Sequence, residues 1–147
     1  MHRFLEETVA DHMTTDVKTV TRNVSIEQLK KRFEKDDFNA YPVVEHGEVL
    51  GLMTKFDFLK IFAMKPSSMV PHYNDLMKRT AGDAMTIDFI YVNPATKLTR
   101  VLQLMVEHRV RSIPVIRADR DLVGIISRED LMSALWLYSC PNSELRE

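Results

Sequence analysis

The sequence predicts an α/β (α+β) fold made of two copies of one small unit of helices and strands. Short apolar runs rich in valine and isoleucine alternate with helical patterns that have one apolar face, which is typical of strands covered by helices. The pattern occurs twice, because residues 9–44 align with residues 81–116 and residues 49–62 align with residues 122–135. Each copy is too small to be stable alone, so we expect the two copies to pack together.

Identical residues at matching positions support the repeat, and conservative pairs such as Ile26/Leu98 fill the apolar positions. The identical pairs are Asp11/Asp83, Met13/Met85, Thr14/Thr86, Asp16/Asp88, Val20/Val92, Pro42/Pro114, Val43/Val115, Gly51/Gly124 and Asp57/Asp130. The two copies are therefore expected to share one order of helices and strands.

Each copy is predicted to open with a short helix, which an extended run follows. The helices cover Val9–Met13 and Gly82–Met85. The extended runs cover Val17–Thr21 and Phe89–Val92, and we expect each to form the first strand of its copy.

An amphipathic helix comes next in each copy. In the first copy Ser25 caps the helix and Gln28 completes a capping box, and the apolar face consists of Ile26, Leu29 and Phe33. In the second copy Thr96 is predicted to be the cap, and the apolar face consists of Leu98, Val101, Leu102 and Met105.

Two apolar strands joined by a polar turn lead into a closing helix. The length and polarity of both turns are those of hairpins. The strands are predicted over Tyr41–Val44, Val49–Met53, Ile113–Ile116 and Leu122–Ile126, and the closing helices begin at Thr54 and Ser127. The order in each copy is helix, strand, helix, strand, strand, helix.

The repeat also sets the predicted boundaries. Pro66 and Pro71 end the first closing helix, and Tyr73–Arg79 can start another helix. The boundaries are a first unit over residues 1–65, a linker over 66–80, a second unit over 81–138 and a C-terminal tail over 139–147.

The composition predicts a cytoplasmic protein that binds neither nucleic acid nor a membrane. A net charge of −1 offers no basic face for nucleic acid or for an anionic lipid surface. The apolar runs are too short to cross a bilayer, and the first residues lack the apolar core of a signal peptide. Cys140 is the only cysteine, which excludes intrachain disulfides and thiolate-rich zinc sites.

No motif for catalysis or for metal binding is recognisable. The sequence has no Gly-x-Ser-x-Gly, no Walker loop and no His-Glu-x-x-His, and its five histidines lack the spacing of metal ligands. We therefore expect a protein without enzymatic activity, without a cofactor and without a metal.

The two strand-to-helix junctions are the candidate sites. Each carries a hydroxyl residue followed three positions later by an aspartate, Thr54 with Asp57 and Ser127 with Asp130. A helix N-terminus presents backbone N–H groups and a positive dipole end, which suit an anion. The same spacing also fits a helix cap that needs no ligand.

The duplicated pattern resembles a tandem pair of CBS domains, the family named after cystathionine β-synthase. The resemblance covers residues 9–138 and rests on three motifs that occur in order in both copies. They are Asp-x-Met-Thr, an apolar-Pro-Val strand, and Gly-apolar-apolar-Thr/Ser-x-x-Asp, which spans Gly51–Asp57 and Gly124–Asp130. It implies two βαββα units related by a pseudo-twofold axis and packed through their sheets.

The resemblance also implies a function. Related modules bind adenosine-containing ligands (AMP, ADP, ATP or S-adenosylmethionine) in clefts between the units, associate as homodimers and regulate another protein. By this resemblance Asp57 and Asp130 hold the ribose hydroxyls, and Thr54 and Ser127 reach the ribose or a phosphate. The adenine slot is expected to be lined by Lys18, Thr19, Val20, Ala40, Tyr41, Pro42, Ile90, Tyr91, Val92, Ser112, Ile113 and Pro114.

Three basic residues can meet phosphates, namely Lys55, Arg111 and Arg128, although they also fit a solvated surface. They favour a nucleotide over S-adenosylmethionine, because a cationic sulfonium gains nothing beside them. Tyr41 and Phe56 are bulky at positions next to the slot, where they can stack on adenine or block the first site. The alternative function is a dimerisation or interaction module whose clefts stay empty.

Overall fold

The computed structural model describes residues 2–63 and 73–139. The chain divides into two compact units, and both are assembled from pieces of both sequence copies. The terminal unit consists of Met1–Val17 and Ile90–Glu147, and the central unit is Lys18–Phe89. The boundaries predicted above follow the sequence copies, whereas these compact units follow the packing. Linker residues 66–72 and the tail beyond Ser139 lie outside the described residues.

The α+β fold is confirmed, and the helices and hairpin strands follow the predicted order except that no first strand forms in the described part of either copy. Within the described ranges they are α1 (His2–Glu6), α2 (Val9–His12), α3 (Ile26–Lys35), β1 (Ala40–Glu45), β2 (Glu48–Thr54), α4 (Lys55–Ile61), α5 (Tyr73–Met77), α6 (Ala81–Ala84), α7 (Leu98–His108), β3 (Ser112–Ile116), β4 (Leu122–Ser127) and α8 (Arg128–Ser139). Helix α1 was not expected from the sequence, and it is held by Phe4, which is buried in the core of the terminal unit.

The central unit is built around the β1–β2 hairpin. The two strands are antiparallel, and the turn between them places His46 and Gly47 at φ values of 52° and 77°. Helix α3 covers the hairpin with Ile26 and Leu29, both fully buried in the same core. The predicted capping box of this helix is confirmed, because Ser25 Oγ accepts from Gln28 N and Gln28 Oε1 accepts from Ser25 N.

The terminal unit repeats this arrangement with the β3–β4 hairpin and helices α7 and α8. Leu98, Val101 and Met105 of α7 are buried, as predicted. The prediction that Thr96 caps this helix is wrong. Lys97 occupies the cap position without a side-chain hydrogen bond, because Thr96 Oγ1 accepts from Asn93 N (3.2 Å) and so closes the preceding turn instead.

The prediction of a first strand in each copy is wrong, because each extended run pairs with the hairpin at a single residue. Val20 forms a single parallel bridge with Val43, and Val92 forms one with Val115. In the first run only Val20 is buried, while Lys18 and Thr19 are exposed. The polar neighbours have no core to face, so pairing does not extend beyond one residue.

Two glycines allow an opening segment to pack against the hairpin of each compact unit. In the central unit this segment comes from the second sequence copy, and in the terminal unit it comes from the first. A Cβ at Gly51 would lie 2.7 Å from Met85 Sδ and 2.8 Å from the Thr86 carbonyl oxygen. A Cβ at Gly124 would lie 2.6 Å from Met13 Sδ and 2.9 Å from the Thr14 carbonyl oxygen. Any larger residue would push the opening segment away. These contacts bring Thr86 into the central unit and Thr14 into the terminal unit.

Candidate ligand sites at the two strand-to-helix junctions

Both junctions contain the capping box that their spacing allows. In the central unit Thr54 Oγ1 accepts from Asp57 N (3.0 Å), and Asp57 Oδ2 accepts from Thr54 N (3.0 Å). In the terminal unit the corresponding distances between Ser127 and Asp130 are 3.1 and 2.9 Å. The motif therefore stabilises a helix start in each copy before any ligand is considered.

The amides at these helix starts are less open to an anion than the sequence suggested. The first amide of α4, Lys55 N, donates to the Asn39 carbonyl oxygen (3.0 Å), and the first amide of α8, Arg128 N, donates to the Arg111 carbonyl oxygen (2.8 Å). The third amide of each helix is occupied by the cap. Phosphate recognition at either junction would therefore depend mainly on side chains.

Asp57 is enclosed by protein groups. Its side chain is 2% exposed. Thr86 Oγ1 lies 3.0 Å from each of its carboxylate oxygens, and Lys60 Nζ lies 3.0 Å from Oδ1. Together with Thr54 N, these donors satisfy both oxygens of the carboxylate.

Asp130 is bonded much more sparsely. Its side chain is partly exposed, and Oδ2 accepts the bond from Ser127 N. Among the described residues, no donor lies within hydrogen-bonding distance of Oδ1. The position that corresponds to Lys60 is Ser133. In the described part of the chain, no hydrogen bond joins the hydroxyl of Thr14, the counterpart of Thr86, to the carboxylate. One face of Asp130 can thus still accept hydrogen bonds.

Tyr41 does not line a slot. Its ring is fully buried and packs against Phe33, with ring centroids 4.9 Å apart, and its hydroxyl lies 2.8 Å from Asp36 Oδ2. Burial, and after it the bond to Asp36, raises the pKa of Tyr41 above its ordinary value. Stacking on adenine, one of the two alternatives left open for this ring, would require it to leave the core, in which it is fully buried.

The other residues predicted to line the adenine slot in the central unit fall into a buried group and an exposed group. Val20, Ala40 and Pro42 are buried, and Thr19 and Lys18 are exposed. Lys18 Nζ lies 2.9 Å from Asp36 Oδ1. The bond from Lys18, followed by that from Tyr41, lowers the pKa of Asp36. The ammonium group of Lys18 is thus already paired.

In the terminal unit the residues predicted to line the adenine slot or to meet phosphates also range from buried to exposed. Val92, Ser112, Ile113 and Pro114 are buried, Ile90 is half-buried, and Tyr91 is 61% exposed. Arg111 and Arg128 are exposed, and no carboxylate pairs with either guanidinium in the described part of the chain. These arginines, together with Arg109, border a groove of about 340 Å³ that is otherwise lined by apolar side chains of α7 and α8.

Three residues near these sites were not found by sequence reasoning. Lys60 stands one helical turn after Asp57, so its spacing was a readable signal for an ion pair. Thr86 is 29 residues from Asp57 in the chain, and Arg109 follows the end of α7. No local pattern connects either of these two to its site.

Neither a metal site nor a membrane-spanning helix is found in the residues that the structure describes. No cluster of three or more His, Cys, Asp and Glu side chains is placed to hold a metal ion. No helix there has the length and apolar character that crossing a membrane requires.

Comparison with known proteins confirms the resemblance read from the motifs. The model of the CBS domain matches residues 9–64 and again residues 81–137. The CBS domain-containing protein YhcV of Bacillus subtilis is 31% identical over 124 residues, which cover 84% of this chain and 81% of that protein. A homoserine O-acetyltransferase of Methanococcoides burtonii is 30% identical over 133 residues, which cover 89% of this chain but 25% of the enzyme.

A solved structure supports the same assignment. The CBS domain pair of protein MJ0100, in complex with 5′-methylthioadenosine and S-adenosyl-L-methionine, matches with a TM-score of 0.73 and 26% sequence identity. The match covers 86% of this chain and 94% of that pair. The fold of the chain is accordingly that of two CBS domains in tandem.

Proposed function

The chain belongs to the CBS domain family, and from that premise we propose that it is a regulatory module that binds an adenosine-containing ligand. The observation that carries the proposal is Asp130, a partly exposed carboxylate at the start of α8 with one oxygen that the described residues leave unbonded. The ligand-bound MJ0100 pair supports the ligand class, because both of its ligands contain adenosine.

Ribose recognition by Asp130 follows from elementary hydrogen bonding. The two hydroxyls of a ribose cis-diol are donors, and an ionised carboxylate accepts several hydrogen bonds. Bonds to an ionised group are roughly twice as strong as neutral ones. Ser127, whose hydroxyl already bonds Asp130 N, is proposed to contact the same ribose or the first phosphate.

The adenine ring is proposed to lie against the first-strand residues of the terminal unit. Tyr91 offers an exposed aromatic ring there, and Ile90 is half-buried. The buried side chains of Val92, Ile113 and Pro114 form the floor beneath them. A flat apolar surface with one aromatic edge suits a purine.

The unpaired arginines favour a nucleotide as the ligand. Arg111 and Arg128 are exposed, and a guanidinium matches a phosphate in a bidentate geometry. AMP, ADP and ATP offer one, two and three phosphates to these side chains. S-adenosylmethionine is the second candidate ligand, and the MJ0100 complex supports it. Its sulfonium, however, would gain nothing from neighbouring arginines.

Signalling is proposed to occur through a change of conformation or of association. A ligand shifts such an equilibrium only by its difference in affinity for the two states. Exposed apolar residues on α7 and α8, including Val106 (70% exposed) and Trp136 (68% exposed), support a homodimer that buries this surface. The regulated protein would read the change by direct contact, and the chain itself is proposed to catalyse no reaction.

A second candidate function is an interaction module that binds no ligand. The capping boxes favour it, because they occupy one oxygen of each aspartate without any ligand. In that case substitution of Asp130 would reduce stability and nothing else.

Thermal unfolding against AMP, ADP, ATP and S-adenosylmethionine distinguishes these functions. A ligand at one hundred times its dissociation constant adds about 2.7 kcal/mol. For a chain of this size that corresponds to a rise in Tm of roughly 5–10 °C. We expect at least one nucleotide to raise the Tm of the wild type and to leave that of Asp130→Ala unchanged. If no ligand shifts the wild type, the interaction module is the correct function.

A further inference from the structure

The two aspartates of the repeated motif differ in how much hydrogen-bonding capacity they retain. Asp57 receives bonds from Thr54 N, from Thr86 Oγ1 and from Lys60 Nζ, all at 3.0 Å. Each of its two oxygens therefore already accepts at least one hydrogen bond. The 2% exposure of this side chain leaves no path for a further donor.

A ribose could bond Asp57 only by displacing these groups. Lys60 is about half exposed and could move into solvent, but Thr86 is partly buried, and its single hydroxyl proton lies between two oxygens that are both 3.0 Å from Oγ1. Displacing Thr86 would leave a partly buried donor without a partner, which is the costly half of breaking a hydrogen bond. The ligand would gain two bonds and the protein would lose as many.

Asp130 requires no such exchange. Oδ2 accepts from Ser127 N (2.9 Å), and in the described part of the chain Oδ1 has no donor. Ser133 replaces the lysine of the first copy, so the carboxylate meets no ammonium from its own helix. A diol can approach this oxygen from solvent without breaking a bond within the protein.

The cations near the two aspartates also differ in whether an acidic side chain already pairs with them. In the central unit Lys18 is paired with Asp36, and the ring of Tyr41 is part of the core. In the terminal unit Arg111 and Arg128 are exposed without an acidic partner among the described residues. Lys55, the counterpart of Arg128, likewise has no acidic partner in the described part of the central unit, so the terminal unit is set apart because its unpaired cations accompany an open carboxylate.

We propose that the chain binds one ligand, in the terminal unit, and that Lys60 and Thr86 exclude the central unit by satisfying Asp57. Asp57 is then a structural residue that fixes the start of α4 and holds the opening segment of the second copy against it. This assignment rests on the proposed function, since it specifies which of two related sites the ligand uses.

Isothermal titration calorimetry on the full chain tests the assignment, with AMP, ATP and S-adenosylmethionine as the probes. The wild type is expected to bind one equivalent per chain. The matched pair Asp130→Asn and Asp57→Asn keeps size and removes charge in one copy at a time. Asp130→Asn should weaken binding between about tenfold and about a hundredfold, because it removes charge-assisted bonds. Asp57→Asn should bind within about twofold of the wild type.

The outcomes separate this assignment from the proposed function. Two equivalents per chain, or a folded Asp57→Asn that no longer binds, would overturn the assignment and leave the proposed function in place. A wild type that binds neither AMP, ATP nor S-adenosylmethionine would overturn both. Circular dichroism of each variant verifies folding. If Asp57→Asn does not fold, the stoichiometry of the wild type together with the affinity of Asp130→Asn still decides the question.

Discussion

The start of α4 and the start of α8 carry the same motif and the same capping box, yet their aspartates meet different neighbours. Asp57 is bonded by Lys60 and Thr86, whereas Asp130 has Ser133 at the position of the lysine and remains partly exposed. The motif thus determines how the helix begins. Whether its carboxylate can also accept a ligand is determined by residues outside the motif.

Thr86 and Thr14 sharpen this point, because they are the same residue at matching positions of the repeat. The hydroxyl of Thr86 is hydrogen-bonded to Asp57, whereas among the described residues Thr14 makes no such bond with Asp130. Identity of sequence between two copies is therefore not sufficient for identity of role.

The largest difference in stability between the copies is expected when each of the two aspartates is replaced by alanine and no ligand is present. Asp57→Ala removes the reciprocal bond of the capping box and leaves Thr86 and Lys60 without their carboxylate partner, which should cost about 3 kcal/mol and lower the Tm by roughly 6–12 °C. Asp130→Ala removes the reciprocal bond of the capping box alone and should cost about 1 kcal/mol. Urea unfolding of both variants measures the difference, and equal losses would show that the copies are energetically alike.

Alanine at the two repeat glycines should affect both units alike. At Gly51 and at Gly124 the new Cβ would lie within 2.9 Å of a backbone carbonyl oxygen, which cannot rotate away as a side chain can. We expect each substitution to cost about 2 kcal/mol, as overpacking does in other cores. Differential scanning calorimetry provides the measurement. A cost confined to one variant would mean that only one opening segment is held tightly.

A smaller effect is expected from valine at the two threonines, which keeps shape and removes a hydroxyl. Thr86→Val deletes the donor to Asp57 and should destabilise the chain by about 1–2 kcal/mol. Thr14→Val serves as the matched control and should stay within about 0.5 kcal/mol. Equal responses would contradict the difference between the two aspartates.

The smallest expected effect is the contribution of the buried Tyr41 hydroxyl to the stability of the chain and to its dependence on pH. The pKa of Tyr41 is raised above its ordinary value of 10.0, so this tyrosine stabilises the fold below pH 10 and loses that contribution as pH rises further. Tyr41→Phe should cost about 1 kcal/mol at pH 7 and show a shallower loss of stability above pH 10. Unfolding by urea between pH 7 and pH 11 compares the two slopes. Parallel slopes would rule out a special environment for this hydroxyl.

Much of the fold was predictable because the determining patterns are local. Hairpins, helix faces and the Ser25 capping box follow from spacing within about ten residues, and all were found where predicted. The cap at Thr96 was mispredicted because a turn competes for the same hydroxyl. The candidate aspartates were also readable, as parts of a repeated motif.

The difference between the candidate sites was not predictable, because it depends on contacts that are distant in sequence. Thr86 reaches Asp57 only because the opening segment of the second copy packs in the central unit. The burial of Tyr41 depends on Phe33 and Phe38 together. Neither relation leaves a periodic signal in the chain.

A crystal structure of the chain grown with AMP tests the central claim most directly. We expect one adenosine in the terminal unit, with its ribose hydroxyls within hydrogen-bonding distance of Asp130 Oδ1 and with Asp57 still bonded to Lys60 and Thr86. Adenosine bound at Asp57 with Lys60 displaced, and none at Asp130, would contradict the claim.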